Sequence, residues 1–106
     1  MIAYKKLVRD KIPQIIEAQG KKAEIRVLSD VEYKAMLNQK LHEEFLEYTH
    51  ANEEDQVAEL ADLVEVVYGI LESKGVSIED FERVRLKKWE ERGGFKKKLF
   101  LESVEE

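Results

Sequence analysis

Apolar positions recur every three or four residues along most of this chain, the period of a helix with one buried face. In "RDKIPQIIEAQG", Ile12, Ile15 and Ile16 fall on one face. Asp10 can cap that helix, Pro13 is tolerated only in a first turn, and Gly20 can end it. The period then changes: in "AEIRVL", Ala23, Ile25 and Val27 alternate with polar neighbours, which predicts a short β-strand over about 23–28. Ser29 followed by Glu32 has the spacing of a capping box and opens a second helix from about Val31 to Tyr48. "THANEED" reads as the turn, with Asn52 capping a third helix that runs to about Lys74 and stops at Gly75. Ser77 opens a fourth helix through "IEDFERVRLKKWEER", closed by Gly93 and Gly94. The tail "FKKKLFLESVEE" is expected to extend and pair with the short strand. The pattern predicts a mainly all-α fold, a bundle of four helices, in a single domain spanning residues 1–106.

Composition narrows the class. Hydrophobic residues make up 43% and charged residues 39%, with one Pro and five Gly, a mix that suits a helical globular protein better than a disordered or all-β one. Net charge is -5 with both signs spread along the chain, and there is no basic block of the kind that favours duplex nucleic acid. No cysteine occurs, so disulfides and thiolate metal sites are excluded. "MIAYKKLVRDKIP" lacks the apolar run of a signal peptide, and no segment approaches the ~20 apolar residues of a membrane span. The expectation is a cytoplasmic protein with no membrane association.

Two helices break the apolar pattern in the same way. Leu37, Leu41, Glu44 and Tyr48 share one stripe of the second helix, so Glu44 sits in an otherwise apolar row, with Glu47 beside it and Lys40 one turn earlier. Glu59, Leu63, Val66 and Ile70 share a stripe of the third, again with an acid in the packing row and Asp62 adjacent. A short connection favours antiparallel neighbours. Glu44/Glu47 and Glu59/Asp62 bracket residue 53, near the turn, so the carboxylates come level and face one small volume. Burial and mutual repulsion would protonate some of them, unless a divalent cation such as Mg²⁺ or Mn²⁺ is held there. Acid-rich helices are also ordinary solvated faces, which covers Glu53, Glu54, Glu79, Glu90 and Glu91. For the two pairs the residues alone leave both readings open.

"EEFLE" (Glu43, Glu44, Glu47) followed by "ELAD" (Glu59, Asp62) resembles the EExxE…ExxD motif of the MazG-like all-α nucleotide pyrophosphohydrolases. "KLVRDKIP" and "ERGGF" resemble the ends of a small single-domain branch of that superfamily, so the similarity runs from about Lys6 to Leu101. The resemblance implies a four-helix MazG-like fold that assembles into homodimers or homotetramers. It implies Mg²⁺-dependent cleavage of a nucleoside triphosphate between the α and β phosphates, giving monophosphate and pyrophosphate. By motif match, Glu44, Glu47, Glu59 and Asp62 are metal ligands, and Glu43 and Glu44 are catalytic, Glu43 as a further ligand or as the base that orients water. The gap between Glu47 and Glu59 is short for the family, which implies a tight hairpin without a substrate-specific insertion. The related phosphoribosyl-ATP pyrophosphohydrolases of histidine biosynthesis share such acidic helices, and the "KLVRDKIP" and "RGGF" ends argue against that activity. A helical regulatory module without chemistry is the third alternative.

A polyanionic substrate needs cations as well. Arg9, Lys11, Lys40 and Arg92 are the candidates for phosphate binding, since guanidinium matches phosphate bidentately. Lys87, Lys88 and Arg92 also fit the ordinary role of cations near a helix C-terminus. Gly93 and Gly94 can offer backbone N–H groups or simply end a helix. Trp89, Tyr48 and Tyr68 belong more naturally to a core or subunit interface than to a base-stacking site. Gly69 within the third helix marks a close approach of helices, and His42 and His50 read as surface residues.

Overall fold

Each helix begins where a side chain or a turn can satisfy its first N–H groups, and ends at a glycine or a tight turn. The computed structural model describes residues 2 and 4–105, and contains four α-helices: α1 (Ile12–Ala18), α2 (Asp30–His50), α3 (Gln56–Ser73) and α4 (Ile78–Arg92). The fold is all-α. Met1 and Ala3 of the N-terminal stretch and Glu106 of the tail lie outside the described residues. The chain divides into two compact units, residues 1–75 and 76–106.

In the first unit, α1 starts differently from expectation. Its N-cap is Lys11 with no side-chain cap, and Asp10 does not take that role. The Ile12 N–H instead donates to the Arg9 carbonyl at 3.0 Å, so a backbone turn meets the need. At the other end Gly20 adopts φ +80°, its N–H donates to Glu17 and that of Lys21 to Ile16, the paired bonds of a Schellman stop. The strand expected over 23–28 is absent, and no strand occurs among the described residues. Ile25 and Val27 are exposed. Alternation creates a strand only where a partner completes the ladder, and the first unit offers only helices. The tail beyond Gly93 is likewise irregular apart from a turn at Phe95–Lys98.

Ser29 caps α2, its Oγ accepting from the Glu32 N–H at 3.2 Å. The capping box is modified: the Glu32 carboxylate takes the Ser29 hydroxyl and the guanidinium of Arg26 (2.9 Å), which holds it below the ordinary carboxylate range. Asn52 provides no side-chain cap to α3. It precedes a 3-10 turn, Glu53–Asp55, whose Asp55 N–H donates to the Asn52 carbonyl, and α3 proper follows at Gln56.

Packing in this unit is the pairing of α2 with α3. Leu37 (4% exposed) and Val66 (9%) are its buried centre. Gly69 of α3 lies against Leu37, and Glu44 of α2 against Asp62, two pairs both centred on residue 53 in the 3-10 turn. The hairpin is therefore antiparallel. Its apolar rows are only partly covered: Phe45 of α2 and Leu60 and Val64 of α3 remain exposed.

In the second unit Ser77 caps α4, accepting from the Asp80 N–H at 3.1 Å, and Gly93 (φ +79°) ends it. Arg83–Asp80 and Arg85–Glu82 pairs, one turn apart, line its exposed surface.

Candidate metal centre

The antiparallel register brings Glu44 of α2 level with Glu59 and Asp62 of α3. One carboxylate oxygen from each of the three lies within 4.8 Å of the other two, and all three side chains are partly buried. An octahedral ion with ~2.1 Å bonds needs ligand oxygens ~3.0 Å apart when adjacent and ~4.2 Å when opposite. The observed span therefore closes around such an ion with small rotamer changes. An all-oxygen, all-carboxylate set is the chemistry of a hard divalent cation, so residues and group fit.

The electrostatics agree with the geometry. Partial burial first, and then repulsion from Asp62, Glu47, Glu44 and Asp55, push the Glu59 carboxyl above its ordinary range. Glu44 and Asp62 each have a cation from their own flank. Lys40 Nζ lies 3.4 Å from Glu44 and 3.6 Å from Glu43, with the Lys40 and Glu44 side chains only 18% and 12% exposed. Arg9 Nη1 donates to Asp62 Oδ1 at 3.1 Å, and its Nη2 lies 3.8 Å from Glu65. Glu59 has no cation of its own among the described residues.

Glu47 is exposed and does not join the three-oxygen cluster. It lines an adjacent open hollow of about 230 Å³ with Glu59, His50, Ala51, Asn52 and Asp55. Glu43 lies on the Lys40 side of the cluster. Of the proposed phosphate ligands, Arg9 and Lys40 touch the acids. Lys11 is the exposed N-cap of α1, and Arg92 stands in the last turn of α4, in the second unit.

Two neighbours of the cluster, Asp55 and Glu65, escaped the sequence reading, and a third, His50, was read only as a surface residue. Asp55 precedes Glu59 by four residues, Glu65 follows Asp62 by three, and His50 follows Glu47 by three. Those spacings place each on the same helical side as an acid of the motif, a signal that was available. His50 is exposed, as expected, but its Nδ1 lies 2.8 Å from the Leu46 carbonyl and the residue lines the hollow.

The family model described as phosphoribosyl-ATP pyrophosphohydrolase matches residues 10–87, a span that contains every acid of the cluster. The chain belongs to that family. It is thereby a member of the MazG-like all-α nucleotide pyrophosphohydrolase superfamily, as the two acidic motifs imply. An uncharacterized protein of Mycolicibacterium smegmatis is similar, 49% identical over 53 residues, which is 50% of this chain and 54% of that protein. The chain thus spans about half the length of this curated relative. No solved structure matches. No helix among the described residues is long and apolar enough to cross a membrane. The family is typically metal-dependent, and the carboxylates of Glu44, Glu59 and Asp62 across the helical hairpin are a ligand set that a hard cation can accept.

Proposed function

We propose that the protein is a Mg²⁺-dependent nucleoside triphosphate pyrophosphohydrolase, with Mn²⁺ able to substitute. One observation carries the reading: Glu44, Glu59 and Asp62 present oxygens within 4.8 Å of one another from facing helices. When bound, the metal would neutralise phosphate oxygens and acidify the attacking water. Glu44, Glu59 and Asp62 would hold it, with Glu47 joining from the rim of the hollow. Glu43 orients the attacking water and takes its proton as the water oxygen forms its bond to the α-phosphorus. The bond from the α-phosphorus to the bridging oxygen breaks, and monophosphate and pyrophosphate are the products. Lys40 and Arg9, already at the edges of the cluster, supply positive charge to the phosphates. A role in clearing non-standard nucleotides fits a hairpin with so short a connection, which leaves little room for a specificity insertion.

Hydrolysis of phosphoribosyl-ATP is the second reading, favoured by the description of the matched family. The exposed apolar residues Phe45, Leu60 and Val64 support a second copy of the chain as the partner that completes the bundle.

The test is pyrophosphate release with Mg²⁺ from a panel of NTPs, dNTPs, modified nucleotides and phosphoribosyl-ATP. Turnover of the triphosphates above phosphoribosyl-ATP is expected, and the opposite ranking selects the second reading. Glu44→Gln and Glu59→Gln should abolish release with the helical signal intact. A chain that binds no Mg²⁺ and hydrolyses nothing, yet captures a protein, would be a regulatory module.

A further inference from the structure

Arg9 reaches Asp62 across 53 positions of sequence, and its second nitrogen faces Glu65. Neither Arg9 nor Glu65 belongs to the acidic motif, and Arg9 precedes the family match, which begins at residue 10. Glu65 follows Asp62 by about one helical turn, so two carboxylates form adjacent steps on one side of α3, at 3.1 Å and 3.8 Å from the two ends of one guanidinium.

We propose that Arg9 is the resident counter-ion of Asp62 in the metal-free protein and that Glu65 is a positioning residue, the anchor onto which Arg9 shifts when a divalent ion takes the Asp62 oxygen. The inference rests on the metal-centre reading above. A doubly charged ion on Asp62 repels a guanidinium hydrogen-bonded to the same carboxylate, and the ion carries the higher charge. The Arg9–Asp62 contact is well solvated, with side chains 61% and 43% exposed. Contacts of that kind change an equilibrium constant by only about two- to fivefold, so this one yields readily. Glu65 is already 3.8 Å from Nη2, and Arg9 has only to tighten onto it. The guanidinium then stays at the rim of the centre. One edge is held by Glu65, and the edge released by Asp62 is free to receive a phosphate oxygen. Without Glu65, Arg9 would leave for solvent when the ion binds.

The experiment is calorimetric titration of the full chain with Mn²⁺ alone, on wild type, Arg9→Gln, Glu65→Gln and the double variant. Arg9→Gln should bind Mn²⁺ about two- to fivefold more tightly, because a competing cation is gone. Glu65→Gln should bind it more weakly by a similar factor, and that effect should vanish in the Arg9→Gln background. With nucleotide, Glu65→Gln should raise KM and leave kcat nearly unchanged. Arg9→Lys and Glu65→Asp, which keep the charges, guard against loss of fold and should recover part of each effect. An equal Glu65 effect in both backgrounds would make it a remote charge and overturn the proposal, as would unchanged or weaker Mn²⁺ binding by Arg9→Gln. If wild type binds no Mn²⁺, or Glu59→Gln binds it equally well, the metal-centre reading itself fails. If Glu59→Gln loses binding and Arg9→Gln does not gain it, only the present inference falls.

Discussion

Glu44→Gln keeps the volume of the side chain and removes one negative charge from the α2 side of the cluster. Without metal the two resulting changes oppose each other. Lys40 loses its contact at 3.4 Å but keeps Glu43 at 3.6 Å, while Glu59 is relieved of one repelling neighbour. The metal-free variant should therefore unfold close to the wild-type temperature. Metal separates the two proteins. A ligand at one hundred times its Kd stabilises the folded state by about 2.7 kcal/mol. In a domain of this size each kcal/mol moves Tm by roughly 4–8 °C, so Mg²⁺ at that level should raise the wild-type midpoint by about 10–20 °C. If Glu44 is a ligand, its loss should weaken the site at least as much as loss of an outer partner of a ligand does, roughly 10–100-fold. At the same Mg²⁺ concentration the variant retains about 0.4–1.4 kcal/mol of metal stabilisation, a shift of about 2–11 °C. Scanning calorimetry in EDTA and in excess Mg²⁺ reads both quantities. Equal Mg²⁺-induced shifts in the two proteins would refute the assignment of Glu44 as a ligand.

Gly69→Ala would gain about 1 kcal/mol of helix propensity on an open surface. Here the new Cβ would sit 3.1 Å from Leu37 Cδ2, in the most buried part of the hairpin, so Leu37 must give way and urea denaturation should show less than that gain, the full gain refuting the close approach. Ser29→Ala removes the acceptor of the Glu32 N–H and should cost about 0.5–2 kcal/mol, with an unchanged Tm refuting the cap. Stability against pH in EDTA should pass through a maximum. Glu59 holds its proton more tightly when folded, so its contribution falls as pH rises through the range above the usual carboxylate value. Glu32, held low first by its hydrogen bond to Arg26, contributes stability that is lost as pH drops below that value. Glu59→Gln should flatten the high-pH side alone, and an unchanged profile would contradict the raised carboxyl.

What was legible in the sequence was what local chemistry decides. Ser29 caps where its spacing to Glu32 indicates, Ser77 caps the helix it was expected to open, and Gly20, Gly75 and Gly93 take the positive φ that ends a helix. The level placement of Glu44 with Asp62 followed from helical phase and one short turn. What failed depended on partners the sequence does not state. Ile25 and Val27 alternate correctly for a strand, yet have no ladder to join. Asp10 and Asn52 have capping chemistry, but backbone turns at Arg9–Ile12 and Asn52–Asp55 had already used the N–H groups they would have met. Arg9 was a candidate phosphate ligand from its block alone. Its attachment to Asp62 and Glu65 depends on where the N-terminal segment returns to α3, and no local pattern encodes that.

The two ends of the α2–α3 hairpin do opposite things, and the contrast explains how the acids are tolerated. At the open end, Gly69 lets α3 approach Leu37 closely, and apolar burial favours contact. At the turn end, Glu44, Glu59 and Asp62 repel one another, and α2 and α3 are joined by only five residues, 51–55. Gly69 and Asp62 are seven positions apart on one rigid helix, roughly 10 Å. Packing at one end and a short covalent tether at the other therefore hold the carboxylates at a separation they would not choose alone. Lys40 and Arg9 offset part of that repulsion from the two flanks, which leaves Glu59 as the group with most to gain from a cation arriving between them.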